Sequence, residues 1–239
     1  MAVAIIHQSK LLFPTLQLNP EGDILLLDKP YRYTSFHVVD KIKRLARQML
    51  DKKVKVGHAG TLDPLATGLL IVCTGAYTKK IPDLQDEEKE YTGTLRLGAT
   101  TPSFDLEKEI DRVFPWQHIT EDMLIHCCQR FVGELQQIPP MFSAVKIGGK
   151  RAFDYAREGK DVLIQPKKIV IREFELMNIV LPDIDFRVVC SKGTYIRALV
   201  RDFGEALQCG AHLVALRRTR IGKFRVEDAL IPTNLGGNI

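Results

Sequence analysis

The chain has 239 residues, of which 45% are hydrophobic and 26% are charged, and its formal net charge at pH 7 is +5. This composition is typical of a folded globular protein and excludes a disordered, collagen-like or coiled-coil chain. The longest weakly polar run, 65–76, is too short to cross a bilayer, and no basic stretch precedes an apolar one at the N-terminus. We therefore expect neither a membrane span nor a secretory signal.

The first half of the chain is predicted to alternate strands with helices. Residues 23–28 (DILLLD) form a short apolar run that is typical of a buried strand. Thr34 or Ser35 is a good N-cap, and apolar residues then recur over 36–50 with the spacing of an amphipathic helix. Strands are further predicted at 69–73 and 90–97, and helices at 76–84 and 120–131.

The sequence pattern changes after the prolines at 139 and 140, where the second half of the chain begins. Residues 138–168 are predicted to contain a strand near 142–147, a glycine turn and a short helix at 151–158. We call 138–168 the basic insertion. A hairpin at 169–181 and 184–190, a helix at 194–208 and a strand at 213–224 follow. The elements together predict a mixed-sheet α/β or α+β domain.

Charge is unevenly distributed along the sequence. Residues 41–55 carry seven basic side chains against one acid, 146–168 carry seven against three, and 213–225 carry five and no acid. Such segregation fits a positive face towards a polyanion, and it fits solvated helix faces equally well.

The five cysteines are an odd number and have no C-x-x-C spacing. Disulfide frames and zinc sites need paired or regularly spaced ligands. We therefore expect reduced, mostly buried thiols, a cytoplasmic location and no metal site.

The most unusual segment is 57–70, GHAGTLDPLATGLL. Its glycines allow tight turns, and Pro64 restrains Asp63 to an extended conformation. A lone carboxylate on such a loop suits a nucleophile or a general base, but the same residues would also form a structural turn or a G-x-x-G clamp on nucleic acid. Sequence motifs for nucleotide hydrolysis, dinucleotide binding and metal-assisted hydrolysis are absent.

This segment resembles the signature of bacterial tRNA pseudouridine-55 synthases of the TruB family. The resemblance spans about 20–225, with two departures: Arg32 stands where the family usually has Gly, and Phe142 where it usually has Tyr. Five further blocks agree with the family in order: LLLDKPYRYTS (25–35), KEYTGTLRLGATTPSFD (89–105), QQIPPMFSAVKIGGKRAFDYAREG (136–159), CSKGTYIRALVRDFGEAL (190–207) and LVALRRTRIGKF (213–224).

The resemblance implies a pseudouridine synthase fold with one catalytic domain at 23–230, which includes the basic insertion. Residues 1–22 are expected to form an N-terminal extension and 231–239 a tail, without the RNA-binding PUA domain found in many relatives. We expect a monomer that uses no cofactor.

The implied reaction isomerises uridine 55 in the T-loop of tRNA to pseudouridine. Asp63 would be the essential carboxylate, either attacking the ribose or abstracting a ribose proton, and Arg197 would pair with it. Tyr91 would stack on the uracil, Leu216 would line the uracil pocket, and His58 would meet the flipped-out nucleotide.

Two further sets of residues complete the implied site. Lys29 and Pro30 would support the catalytic loop, and Lys146, Lys150 and Arg151 would bind the RNA backbone. Two alternatives remain open: an RNA-binding module or tRNA-folding chaperone without chemistry, and the same chemistry on another RNA. The catalytic residues favour an enzyme, and the block that contains His58 argues against another RNA.

Overall fold

The computed structural model describes residues 17–143, 145–160 and 162–232. The chain divides into two compact units, one with the residues up to Tyr91 and from Arg217 onwards, the other with Thr92–Leu216. The described part of the chain contains no helix long and apolar enough to cross a membrane.

The regular elements follow one another in an irregular alternation of strands and helices. Two 3₁₀ helices, Gly75–Lys80 and Val226–Asp228, accompany them. In chain order the elements are β1 (Ile24–Lys29), α1 (Ser35–Leu50), β2 (Val56–His58), β3 (Thr67–Thr74), α2 (Ile81–Asp86), β4 (Lys89–Leu97), β5 (Ala99–Thr100), β6 (Arg112–Val113), α3 (Glu121–Gln129), β7 (Gly133–Gln137), β8 (Lys146–Ile147), β9 (Lys150–Arg151), α4 (Ala152–Arg157), β10 (Lys167–Val180), β11 (Asp183–Cys190), α5 (Ile196–Ala206), β12 (Ala211–Ile221) and β13 (Phe224–Arg225).

Helix α1 begins at a capping box. The Thr34 hydroxyl accepts a hydrogen bond from the His37 amide at 3.1 Å, and the His37 ring accepts one from the Thr34 amide at 3.4 Å. These bonds satisfy amides that the first turn of a helix leaves unpaired. The apolar face of α1 packs on β1 and β3 in one core cluster, whose α1 members are Val38, Val39, Ile42 and Ala46.

The first unit is built around β3, which pairs with strands of both directions. β1 and β2 run antiparallel to β3, whereas β12 runs parallel to it, and β13 is antiparallel to β12. The predicted mixed-sheet class is therefore confirmed. In the parallel pair Gly68 lies opposite Arg218, at φ +101°, and a Cβ there would sit 2.3 Å from the Arg218 carbonyl oxygen. Any side chain at this position would force the two strands apart.

The second unit contains the long hairpin of β10 and β11, in the strand order β4-β11-β10-β7. Helix α5 buries the apolar face that the sequence predicts, including Ile196, Leu199, Val200 and Phe203. The Phe203 ring meets that of Phe174 on β10 edge-on, with centroids 5.6 Å apart. This packing fixes α5 against the hairpin.

Three details of the structure differ from the sequence-based elements. The expected helix at 76–84 is a 3₁₀ helix followed by α2, because Pro82 in the first turn of α2 cannot continue the preceding hydrogen-bonding pattern. The strand near 142–147 is only Lys146–Ile147, paired with Lys150–Arg151 across the predicted glycine turn. The short strands β2, β5, β6, β7, β9 and β13 were not predicted.

All five cysteines are buried thiols outside any disulfide, as predicted. The expected domain boundaries stay a prediction. Most of the expected N-terminal extension (1–16) and most of the expected tail (233–239) lie outside the described residues.

Candidate active site

Asp63 lies on the loop that joins β2 to β3, and both sides of it are anchored. Its carbonyl oxygen accepts a hydrogen bond from the Ala66 amide at 3.1 Å, which closes a turn. The Leu62 amide donates to the Ser35 hydroxyl at 2.8 Å, and that hydroxyl donates back to the Leu62 carbonyl at 3.1 Å. Asp63 itself is partly exposed. The loop therefore presents one carboxylate from a backbone tied to the start of α1.

Lys29 lies beneath this loop and is fully buried. Its Nζ donates to three carbonyl oxygens, those of Tyr33 at 2.6 Å, Pro30 at 3.0 Å and Pro64 at 3.2 Å. Burial lowers the pKa of Lys29 from 10.5 to about 8, while the nearby Asp63 carboxylate opposes this shift. The ammonium thus stays charged at neutral pH and ties the residue after Asp63 to the end of β1.

Arg218 on β12 is a second buried cation behind the loop, and it was not predicted. It is 1% exposed. Its Nε donates to the Leu69 carbonyl at 2.7 Å, and its Nη2 donates to the Gly60 carbonyl at 3.0 Å. One guanidinium therefore joins the start of β3 to the residue that precedes Thr61. Arg218 is two residues after the buried Leu216 and shares its side of the strand, but this alternation does not identify the distant carbonyls that it bonds to.

Arg217, the neighbour of Arg218, makes a different contact. Its two terminal nitrogens lie 3.0 and 2.6 Å from the two carboxylate oxygens of Asp28, and Nη1 is 3.4 Å from the Thr67 hydroxyl. Asp28 directly precedes Lys29, so this bidentate pair links β12 to the end of β1.

His58 is the last residue of β2. Its Nδ1 atom is buried and has no hydrogen-bond partner among the residues that the structure describes. Burial lowers the pKa of His58 below 6.5, the positive charge of Arg218 lowers it further, and the Gly60 backbone opposes both effects. The imidazole is therefore mainly neutral at pH 7, with one ring nitrogen able to bond to a ligand.

Arg197 belongs to the second unit, in the first turn of α5, and is 4% exposed. Its Nη1 donates to the Ser103 carbonyl at 3.1 Å and its Nη2 to the Phe142 carbonyl at 3.0 Å. Its Nε lies 3.7 Å from the carboxylate of Asp105, which is 4% exposed and also accepts from the Glu107 amide at 3.0 Å. These acceptors fix the plane of the guanidinium.

Asp105 was not among the predicted site residues. Its position at the end of the block KEYTGTLRLGATTPSFD was the available signal.

The remaining predicted residues differ in burial. Tyr91 on β4 and Leu216 on β12 are both buried, at 8% and 9% exposure, and Pro30 is half-buried.

The predicted site residues thus divide between the two units. The first unit brings Lys29, Pro30, His58 and Asp63 together around one loop, and the same unit contains Tyr91. Arg197 and Leu216 belong to the second unit. The predicted pairing of Asp63 with Arg197 stays a prediction.

The three cations of the basic insertion that are predicted to bind RNA differ in their exposure and in their contacts. Lys146 and Arg151 are exposed. Lys150 forms an ion pair with Glu158, and its Nζ lies 4.8 Å from the centre of the Tyr155 ring. In the described ranges, no group of three or more His, Cys, Asp or Glu side chains is arranged to hold a metal ion.

Comparison with known proteins was made for sequence and for structure. Residues 47–196 match the model of the TruB family pseudouridylate synthase (N terminal domain), and 197–234 match that of the tRNA pseudouridylate synthase B C-terminal domain. The tRNA pseudouridine synthase B of Phocaeicola vulgatus is 59% identical over 211 residues, which cover 88% of this chain and 90% of the relative. That of Flavobacterium johnsoniae is 55% identical over 212 residues, covering 88% of this chain and 93% of the relative.

Two solved structures are also similar. A chain of a Cbf5-Nop10-Gar1 complex has a TM-score of 0.67 and 28% identity over 96% of this chain and 63% of its own length. A chain of an H/ACA RNP bound to a substrate RNA containing 2'-deoxyuridine has a TM-score of 0.63 and 29% identity over 88% of this chain, which spans about half (51%) of its length. The expected pseudouridine synthase fold is confirmed. Since the first family model covers well over half of the sequence, this chain belongs to the TruB family of pseudouridylate synthases.

Proposed function

We propose that this protein converts uridine 55 in the T-loop of tRNA to pseudouridine. The observation that carries the proposal is Asp63, a partly exposed carboxylate on a loop that Lys29 and Arg218 tie to the sheet. Relatives named tRNA pseudouridine synthase B, at 59% and 55% identity over most of both chains, support tRNA as the substrate.

The proposed reaction is an isomerisation that balances without a co-reactant. The N1–C1′ glycosidic bond breaks, the uracil turns within the site, and C5 bonds to C1′. The proton that leaves C5 is replaced by one that ends on N1, so the composition of the nucleotide does not change. The reaction therefore needs no oxidant, reductant or energy source.

Asp63 is the proposed catalytic residue, and its charge is essential whether it attacks the ribose or takes a ribose proton. Arg197 is the proposed partner of this carboxylate. A cation within a few ångströms would keep the carboxylate ionised. The guanidinium of Arg197 is held in one orientation by its contacts with the Ser103 and Phe142 carbonyls and with Asp105. It would therefore need little reorganisation during the reaction.

Three further residues are proposed to receive the flipped-out nucleotide. Tyr91 would stack on the uracil and Leu216 would line its pocket. His58 would contact the extruded nucleotide, and its unpartnered Nδ1 atom could bond to a polar group there. Extruding a base costs a few kcal/mol, which such contacts must recover.

The basic insertion is proposed to hold the T-arm through phosphates. Lys146 and Arg151 are exposed, and Lys150 would exchange Glu158 for a phosphate on binding. We propose that the protein acts as a monomer in the cytoplasm. The five buried cysteines, none of them in a disulfide, fit a reducing compartment.

The direct test is to incubate the purified protein with an unmodified tRNA transcript and to map pseudouridine by position. We expect modification at position 55, and none when that position is cytidine or when Asp63→Asn replaces the wild type. Binding of the transcript without any pseudouridine would favour a non-catalytic RNA-binding protein or folding chaperone. Pseudouridine at another position would refute the proposed target.

A further inference from the structure

A strongly positive surface lies at the C-terminal end of α1 and on the segment that follows it. We call it the α1 patch. The acidic residues in the same stretch of sequence are Asp40 and Asp51. All of its basic members are exposed: Lys43, Arg44, Arg47, Lys52, Lys53 and Lys55.

Most of these charges do not hold the fold together. Arg44 pairs with Asp40 at 3.2 Å, and the Lys52 ammonium donates to the Pro20 carbonyl at 3.2 Å. The other four, Lys43, Arg47, Lys53 and Lys55, have no carboxylate within ion-pair distance in the part of the chain that the structure describes. The buried face of α1 packs on the sheet without them.

Stabilisation of the helix does not account for the patch. A cation near a helix C-terminus gains roughly 0.3–1 kcal/mol, but this effect is confined to the last turn. Of the unpaired residues only Arg47 lies in that turn, since α1 ends at Leu50. Lys43 precedes the last turn, and Lys53 and Lys55 follow the helix.

The patch begins close to the candidate active site and extends away from it. Lys55 directly precedes β2, whose last residue is His58, so the two Cα atoms are about 10 Å apart along extended chain. The Lys55 carbonyl accepts a hydrogen bond from the Gly75 amide at 2.8 Å, which fixes this segment to the first unit. Ser35 at the start of α1 bonds to Leu62 of the catalytic loop, and the helix rises from there by about 12 Å to Lys43 and about 22 Å to Leu50.

We propose that the α1 patch binds phosphates of the tRNA outside the T-arm. The inference rests on the proposed function, because it takes the Asp63 loop as the place where the target arm binds. RNA that enters this loop and continues past His58 would meet the exposed cations next. Phosphate neutralisation gives affinity without sequence preference, so the contact would serve all tRNAs alike.

The test compares two RNAs and two matched variants. The patch variant combines Arg47→Gln with Lys53→Gln. The control variant, Arg112→Gln with Arg130→Gln, removes the same charge from exposed positions in the second unit. Each is titrated with full-length tRNA and with the isolated T-arm stem-loop at several salt concentrations.

We expect the patch variant to bind full-length tRNA about tenfold more weakly than the control, with the salt slope reduced by roughly 1.4–1.8. Affinity for the stem-loop should be the same in both variants within about twofold. Equal tRNA affinities in the two variants would overturn the proposal, and the α1 patch would then be only a solvated helix face. An equal loss with the stem-loop would also overturn it, because the patch would then contact the target arm.

The outcome for the proposed function is separate. It is read from pseudouridine at position 55 in the wild type, and the α1 patch is judged from binding alone. A wild-type protein that shows the patch effect without forming pseudouridine would refute the proposed function and leave the α1 patch supported.

Discussion

Arg218→Lys offers a sharp test of how the catalytic loop is held. The arginine bridges two carbonyl oxygens, Leu69 at 2.7 Å and Gly60 at 3.0 Å, through two different nitrogens of one planar group. A lysine keeps the positive charge but ends in a single nitrogen, so it can reach one of these carbonyls and leaves the other unpaired. Because Leu69 and Arg218 are both almost fully buried, water cannot replace the donor to the Leu69 carbonyl without entering the core, whereas the Gly60 carbonyl is only partly buried.

The expected loss follows from these two bonds. A hydrogen bond to a charged group contributes about 1.5–3 kcal/mol, so the variant should lose about 2 kcal/mol of unfolding free energy. For a chain of this length that corresponds to a fall in Tm of about 4–8 °C. A loop displaced by about 1 Å can cost up to 10²-fold in rate, and we expect kcat to fall by about 10- to 100-fold with KM within about threefold.

Thermal unfolding and steady-state kinetics on a tRNA transcript measure both effects. Arg217→Lys is the matched control for stability, because its ion pair with Asp28 is partly exposed and should cost less than about 1 kcal/mol. An Arg218→Lys protein with wild-type Tm and kcat would refute the idea that the two carbonyl bonds hold the loop. A lowered Tm with wild-type kcat would limit Arg218 to a role in stability.

Three further predictions use other parts of the site. Asp63→Asn keeps the shape of the side chain but removes its charge, so the rate of pseudouridine formation in single-turnover assays should fall by at least about 10⁴-fold. The tRNA Kd should change by less than about tenfold, roughly 1.4 kcal/mol. Substantial residual activity would assign the chemistry to another group. Replacing Lys146, Lys150 and Arg151 together by Gln should weaken binding to every tRNA and lower the salt slope by about 2–3, and an unchanged slope would exclude the basic insertion from phosphate contacts. Because the pKa of His58 in the folded protein is lowered below 6.5, the unfolded chain binds more protons at this residue than the folded protein does in weak acid. Urea unfolding should therefore show the free energy of unfolding falling from pH 7 to pH 5. His58→Asn should reduce this fall, and an equal fall in both proteins would contradict the assignment.

The sequence allowed the longer elements to be predicted because their signals are local. The apolar spacing over 36–50 and the cap at Thr34 lie within a few residues of one another, and α1 forms where they predict. The same holds for α5, whose buried residues follow the helical period. Patterns that repeat within one element need no knowledge of the rest of the fold.

The short elements and the support of the loop could not be predicted in this way. β2 has three residues, too few for a period to show, and it forms through pairing with β3. Arg218 contacts Gly60 across 158 positions of the sequence, so no local pattern reveals it. As a charged residue on a strand it would ordinarily be assigned to the solvent side.

The site was predicted from a resemblance more than from its residues. Considered alone, Asp63 before a proline favoured a structural turn over a catalytic carboxylate, and the structure does contain a turn there, closed by the Ala66 amide. The turn and the partly exposed carboxylate therefore coexist at this residue. The contacts of Arg197 with two carbonyls and Asp105 come from three separate segments, which only the tertiary fold brings together.

Because all five cysteines are buried, a cysteine introduced at the surface could be labelled selectively. Burial raises the pKa of Cys73 to about 11 and that of Cys128 to about 12, and it also raises the pKa values of Cys127 and Cys209. At pH 7 only about one Cys73 thiol in 10⁴ is a thiolate, the form that reacts with maleimides. A single cysteine introduced at exposed Lys146 could thus carry a fluorophore in the native protein while the five natural thiols remain in place, and the approach of tRNA to the basic insertion could be followed in real time.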